Sequence, residues 1–405
     1  MEMPGGAAQS SPTRGRSAAR SGLATGLSTI TVSGSAAVAG ALVAQKFGRS
    51  GVTDGFFASY GIYLVLVLAA QAFRLVVVPD LTRAAGEGRL AVEARSYLLA
   101  FLALAVPVSA LVLAFSHPLG DAVTGSLPPE AASIAGDALV WLAPSAFAQL
   151  LAAVAASALA ARDDYVVAAV GYAVGAAAGL ALFLVLADGH GLIALAWGVA
   201  LNSAISLLVP LAELVRKSDR HAVGWRGLAV RRRLWRLVQG AAVPLALQGL
   251  YLVGLRFAAD LGEGEVTSLT YAYLLAATLV AATASSLSLV SSAPLTRRGL
   301  DAETAAEHVI HSAWLSLALI AAAAGVFALV GGEVVRIVLG DAFAGEVGRD
   351  LGLLFVSFAP WMVAAVAFSV TFPLLFVLER PSVLVPLALA ALAVHVPLTL
   401  ALREA

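Results

Sequence analysis

The sequence predicts an all-α integral membrane protein of about eleven to twelve transmembrane helices, arranged as two parallel six-helix-type repeats around a central cavity. Composition, run length and an internal echo predict it. Sixty per cent of the residues are hydrophobic and only 12% charged, and mean hydropathy is +0.91. A soluble globular chain is about 45–50% apolar and about 25% charged, so the solvent for this surface is lipid. Each helical span needs roughly 20 apolar residues. Runs of that length fall near 21–45, 55–79, 96–116, 134–161, 164–187, 191–214, 234–258, 266–293, 305–330, 350–378 and 381–402. Lipid offers backbone amides no partner, and the alternation of barrel strands is missing, so the runs read as helices.

Residues 1–20, polar and basic, read as a disordered cytoplasmic tail. The apolar run that follows exceeds the roughly 7–15 residue core of a cleaved signal peptide. Of the 25 Lys and Arg, 18 fall in one set of loops and six in the other, with Arg74 inside a helix. The richer set includes the amino terminus, which is therefore expected in the cytoplasm of a cell-membrane protein. The connector 215–238 carries eight basic residues with Trp225 and Trp235. It reads as an interfacial segment between the halves, either setting topology or recognising lipid.

The echo is FGRSGVTDGFFASY at 47–60 against LGEGEVTSLTYAYL at 261–274. A shift of 214 residues pairs Gly48 with Gly262, Val52 with Val266 and Thr53 with Thr267, then Leu81-Thr82-Arg83 with Leu295-Thr296-Arg297. Six helices separate the copies, so both copies run the same way and are related by an axis along the membrane normal. The expected organisation is an N-lobe at 21–214 with six helices, a basic interfacial linker at 215–233 and a C-lobe at 234–405 with five. The odd count would put the carboxyl terminus opposite the amino terminus.

These residues resemble the MviN/MurJ-type lipid II flippases, within the superfamily of multidrug, oligosaccharidyl-lipid and polysaccharide (MOP) exporters. The resemblance rests on FGRSGVTDGFFASY followed by VVVPDLTR, and on FAADLGEGEVTSLTYAYLL followed by APLTR, in order over roughly 21–380. It implies alternating-access transfer of a polyprenyl-pyrophosphate-linked glycan from the inner to the outer leaflet, for cell-wall or polysaccharide synthesis. It also implies partners among membrane lipids and envelope-synthesis proteins. The chain departs from the family's pattern where SGSAAVAGALVAQK carries no charge before Lys46, and where Tyr273 and Leu274 stand in place of an Asp-Arg pair.

Candidate cavity residues are Arg74, Lys46, Arg49, Arg256 and Gln71. Arg74 either faces a cavity or snorkels to headgroups. Lys46, Arg49 and Arg256 either form a cationic outer mouth for a diphosphate or anchor the interface. Gln71, with Gln239, Gln248 and Asn202, can hydrogen-bond between helices. The hinge residues are Gly48, Thr53, Asp54, Gly262 and Thr267, with Asp54 expected to cap the second helix or pair with Lys46 or Arg49. Gly171, Gly175 and Gly179 offer a face for close helix approach.

No Walker-type loop is present, so the chain is not expected to be an ATP-driven pump or an enzyme. The zero net charge argues against a nucleic-acid partner. Lack of cysteine excludes disulfides and thiolate metal sites. Glu307, His308 and His311 cluster without a third metal ligand, and no cofactor is expected. The alternatives to a flippase are a small-molecule or drug exporter of the same superfamily and a non-transporting envelope-synthesis scaffold. An aromatic cavity with a buried acid favours the exporter, and an open cationic cavity favours the flippase.

Overall fold

The computed structural model describes residues 12–162, 164–217, 228–280, 302–377 and 383–404. The side chains of Gln71, Arg74 and His308 lie outside the described residues, as do linker residues 218–227, APLTR at 293–297 and Arg380. Among the described residues every regular element is helical.

The first half comprises α1 (Pro12–Phe47), α2 (Gly51–Gly86), α3 (Leu90–Ala114), α4 (Ser116–Thr124), α5 (Pro129–Ala160), α6 (Val166–His190) and α7 (Ile193–Lys217). The second comprises α8 (Val230–Leu261), α9 (Glu265–Val280), α10 (Ala302–Leu339), a 3-10 turn (Asp341–Phe343), α11 (Glu346–Ser357), α12 (Ala359–Val377) and α13 (Leu384–Glu404). Eight helical stretches are long and apolar enough to cross a membrane, and Gly51–Val67, Glu265–Val280 and Leu384–Leu398 are shorter apolar helices. Together they follow, in order, the eleven runs read from the sequence.

Two elements differ from expectation. The first helix begins at Pro12, inside the stretch expected to be disordered. Proline suits a first helical position because its missing N–H would be unpaired there anyway. The short α4 lies where a loop was expected; at nine residues it is too short to cross. It packs along α5 instead, with Gly120 against the Ala132 carbonyl.

α5 is the core of the first half. Its Ala-rich surface is buried on nearly every side, letting α2, α3, α4 and α7 approach closely. The α6–α7 pair uses the expected glycine face: a Cβ on Gly175 would lie 2.8 Å from the Asn202 carbonyl oxygen, and Gly179 abuts Gly198 directly. In the second half, α10 packs on α11 and α12, and bends at Val330, where φ is −132° and ψ 17°. α8 packs on α2 and α3 as well as on α9 and α13, and so ties the halves together.

Candidate functional site

The two echoed turns lie side by side at one end of the bundle, hereafter the hinge end. At the α1–α2 turn, Gly48 takes a left-handed φ of 60°. Ser50 then caps its own helix, its Oγ accepting the Thr53 N–H at 3.3 Å. At the α8–α9 turn, Gly262 and Gly264 take φ of 137° and 90°, which L side chains rarely adopt. Glycine at 264 therefore permits the turn but supplies no capping oxygen where Ser50 supplies one.

Asp54 of α2 fills that role from across the seam. Its carboxylate accepts the Gly264 N–H at 2.5 Å, the Thr267 N–H at 2.8 Å and the Thr267 hydroxyl at 2.6 Å. These are the donors that a capping side chain satisfies at a helix start. The exchange runs both ways, because Glu263 Oε1 accepts the Gly51 N–H at the start of α2 at 2.6 Å. Arg49 adds a third link, donating to the Gly264 carbonyl at 3.2 Å and to Glu265 at 2.9 Å. Asp54 was expected to cap α2 or to pair with Lys46 or Arg49. It does not cap α2, since Ser50 already holds that cap, and Arg49 acts on it only electrostatically, its guanidinium being paired with Glu265.

The cations expected at an outer mouth are each matched to a carboxylate. Lys46 pairs with Asp188, Arg49 with Glu265, and Arg256 with Asp260 at 2.5 Å. Arg256 also lies against Gly125, at the end of α4. The structure places Lys46, Arg49 and Arg256 in three separate pairs around the hinge end and leaves the side chains of Arg74 and Gln71 undescribed. Glu307 and His311 are exposed on α10, where His311 Nδ1 lies 2.9 Å from the Glu307 carbonyl.

Below the hinge, aromatic rings fill the space between the halves. Tyr271 donates to the Gly40 carbonyl at 2.8 Å and meets Phe57 edge-on at 5.3 Å. Tyr60 stacks on Tyr63 at 5.3 Å, and Tyr251 on Tyr273 at 3.9 Å. Tyr273 also contacts Trp361 and donates to Gln248, one of the amides expected to bond between helices. Sequence reading marked Tyr273 only as a departure from a pattern; its recurrence beside Tyr271 two positions earlier was the available signal.

At the opposite end, buried charges join α8 to the first half. Asp80 accepts from Tyr97 at 2.6 Å, Arg233 at 2.7 Å and Arg236 at 2.5 Å. Glu93 pairs with Arg233, whose guanidinium lies 5.3 Å from the Tyr97 ring centroid. Side-chain exposure is only 6% for Asp80, 8% for Glu93 and 12% for Arg233; with Arg236, two carboxylates and two guanidinium groups balance one another largely away from water. Sequence reading missed this cluster because its spans ended at 79 and began at 96, which left Asp80 and Glu93 in a loop.

Neither a family model nor a curated protein sequence matches the chain. Solved structures do. A lipid II flippase MurJ in an inward closed conformation superposes with a TM-score of 0.70 at 15% identity, covering 93% of this chain and 80% of that one. An inward-facing multidrug resistance MATE family transporter of the MOP superfamily gives 0.64 at 16% identity, covering 87% of each chain. The MATE multidrug transporter DinF-BH, in complex with R6G, gives 0.63 at 15% identity over 96% of this chain and 88% of that one. The chain shares the fold of these transporters.

In these neighbouring transporters the helices form two lobes. The crossed caps of Asp54 and Glu263 join the two echoed turns, with the tyrosine stack beneath them. The Asp80–Arg233 cluster fastens α8 to α2 at the opposite end of the bundle.

Proposed function

We propose that this chain is a MOP-type transporter that moves a polyprenyl-pyrophosphate-linked glycan from the inner to the outer leaflet by alternating access. The hinge-end seam carries the reading. It is polar and made of hydrogen bonds between two echoed turns, so it can part and re-form without unpacking either half. Likeness over 93% of the chain to a lipid II flippase supports the cargo class. The loops richer in Lys and Arg lie at the end away from the hinge, which the positive-inside rule turns toward the cytoplasm of a cell membrane. The hinge end then faces outward, and the 21–214 and 234–405 segments act as the moving lobes.

One observation favours the exporter reading. The described interior between the halves is filled by tyrosine and tryptophan rings packed on one another, and rings parted by an opening of the halves would suit a flat aromatic cargo as well as a sugar ring. One experiment separates the two. The host's own lipid II flippase is shut off, this chain is expressed, and precursor exposed on the outer face is measured beside efflux of an aromatic dye. Restored exposure that is lost with Arg74→Ala supports the flippase. Dye efflux without restored exposure transfers the assignment to an exporter. Neither signal from a folded, membrane-inserted protein rejects both and leaves the scaffold reading.

A further inference from the structure

The first turns of α8 divide four arginines between two faces. Arg233 and Arg236, one turn apart, point into the bundle and are held by Asp80 and Glu93. Leu237 and Ala241 continue that face into the core. Arg231 and Arg232 point the other way, are exposed, and have no carboxylate partner among the described residues. With Trp235 and Val238 they line an open depression of about 740 Å³ that also takes in Leu228, Ala229 and Leu234.

The chemistry of that depression is specific in kind. Two guanidinium groups supply charge and forked donors, which match the oxygens of a phosphate ester. Ser96 Oγ accepts the Ala229 N–H at 3.3 Å, but Ala229 has no side-chain oxygen with which to cap α8, so the N–H groups that follow add partial positive charge on the same rim. Trp235, 58% exposed, is the residue type that settles among headgroups. The remaining lining is apolar and can lie along an acyl chain. The buried Asp80–Arg233 anchor holds the helix start in place, so the outward arginines are presented rather than free to collapse onto their own helix.

We infer that Arg231, Arg232 and Trp235 form a binding site for the phosphodiester headgroup of an anionic phospholipid in the leaflet at this end. The site stands apart from the hinge-end seam and does not depend on the cargo. A bound lipid bridges nothing covalently; its single negative charge is shared by two arginines that no described carboxylate meets.

The purified full chain in detergent is titrated with bromine-labelled phosphatidylglycerol, and quenching of Trp235 is read as the difference between wild type and Trp235→Phe. The protein has six tryptophans, so the difference is needed to isolate one. Half-quenching is expected to move to about 30-fold higher lipid in Arg231→Gln/Arg232→Gln, at about 1 kcal/mol per arginine. Arg216→Gln, a basic residue already paired with Glu213, is expected to leave it in place. Equal quenching by bromine-labelled phosphatidylcholine, an unshifted double variant, or an equal shift with Arg216→Gln overturns the site. Displacement by inorganic phosphate at matching concentration shows an occupant that is free phosphate, and overturns the lipid.

Discussion

Asp54 caps a helix to which it does not belong: its carboxylate receives the backbone N–H and the hydroxyl of Thr267, 213 residues away, at 2.8 Å and 2.6 Å. Both residues are fully buried, and the start of α9 depends on an oxygen supplied by α2. Replacing Asp54 with Ala strands these donors and the Gly264 N–H. The expected cost is about 2 kcal/mol, read as a lowered thermal midpoint in detergent. Thr267→Val is expected to cost less, and the double variant less than the sum, because the two share one interaction.

The same substitution is expected to loosen the seam. The chain contains no cysteine, so a single Ser268→Cys reports on this site alone. Ser268 is buried beside the cap. Labelling by a membrane-impermeant maleimide is expected to be slow in the Ser268→Cys protein and faster once Asp54→Ala is added. Equal rates would remove the seam as a barrier to access.

At the far end, Arg233 is expected to matter more than Arg236. Arg233 touches both buried carboxylates and is 12% exposed, whereas Arg236 touches Asp80 and is 33% exposed. Arg233→Ala leaves Glu93 and part of Asp80 uncompensated, at a cost of about 3–5 kcal/mol. Arg236→Ala is expected to lower the thermal midpoint by less than half as much.

Tyr273 separates shape from hydroxyl. Tyr273→Phe keeps the stack on Tyr251 and leaves Gln248 without its donor, at a cost of about 1 kcal/mol. Tyr273→Ala also empties the space between Tyr251 and Trp361, and is expected to cost about 3–5 kcal/mol. Thermal midpoints of the two variants check the order.

The α6–α7 contact gives an internal control. A methyl at Gly179 would run into the Gly198 backbone, so Gly179→Ala is expected to destabilise by about 1–3 kcal/mol. Gly189, on the same helix, has nothing within 4 Å of a built Cβ. Gly189→Ala is expected to be neutral or slightly stabilising.

The passes were legible because lipid imposes a length on every apolar run, so that even the shortened α13 stands out between its charged and Pro-rich neighbours. Adjacency of the two turns was foreshadowed by Thr53 and Thr267, since equal sequence around a repeat axis brings equal positions together. What each charge would touch was not legible. Lys46 pairs with Asp188, 142 residues on, and Arg233 with Glu93; hydropathy ranks such residues as loop and says nothing of their partners. The α4 helix was hidden for a similar reason. Its SHPLGDAVT sequence is short and only locally amphipathic, and it is ordered by lying on α5.

The crossed caps also govern what parting the halves would create. Each turn satisfies donors of its neighbour, so separation frees N–H groups at two helix starts at once: Gly51 loses Glu263, although Ser50 still holds Thr53, and Gly264 with Thr267 loses Asp54. Two half-positive helix ends would then face a single widening cleft. Water or an entering anion can take over the vacated hydrogen bonds. Such a rearrangement would exchange one oxygen acceptor for another at two sets of backbone N–H groups, and its equilibrium would depend on which oxygen-bearing species is present to compete with the two carboxylates.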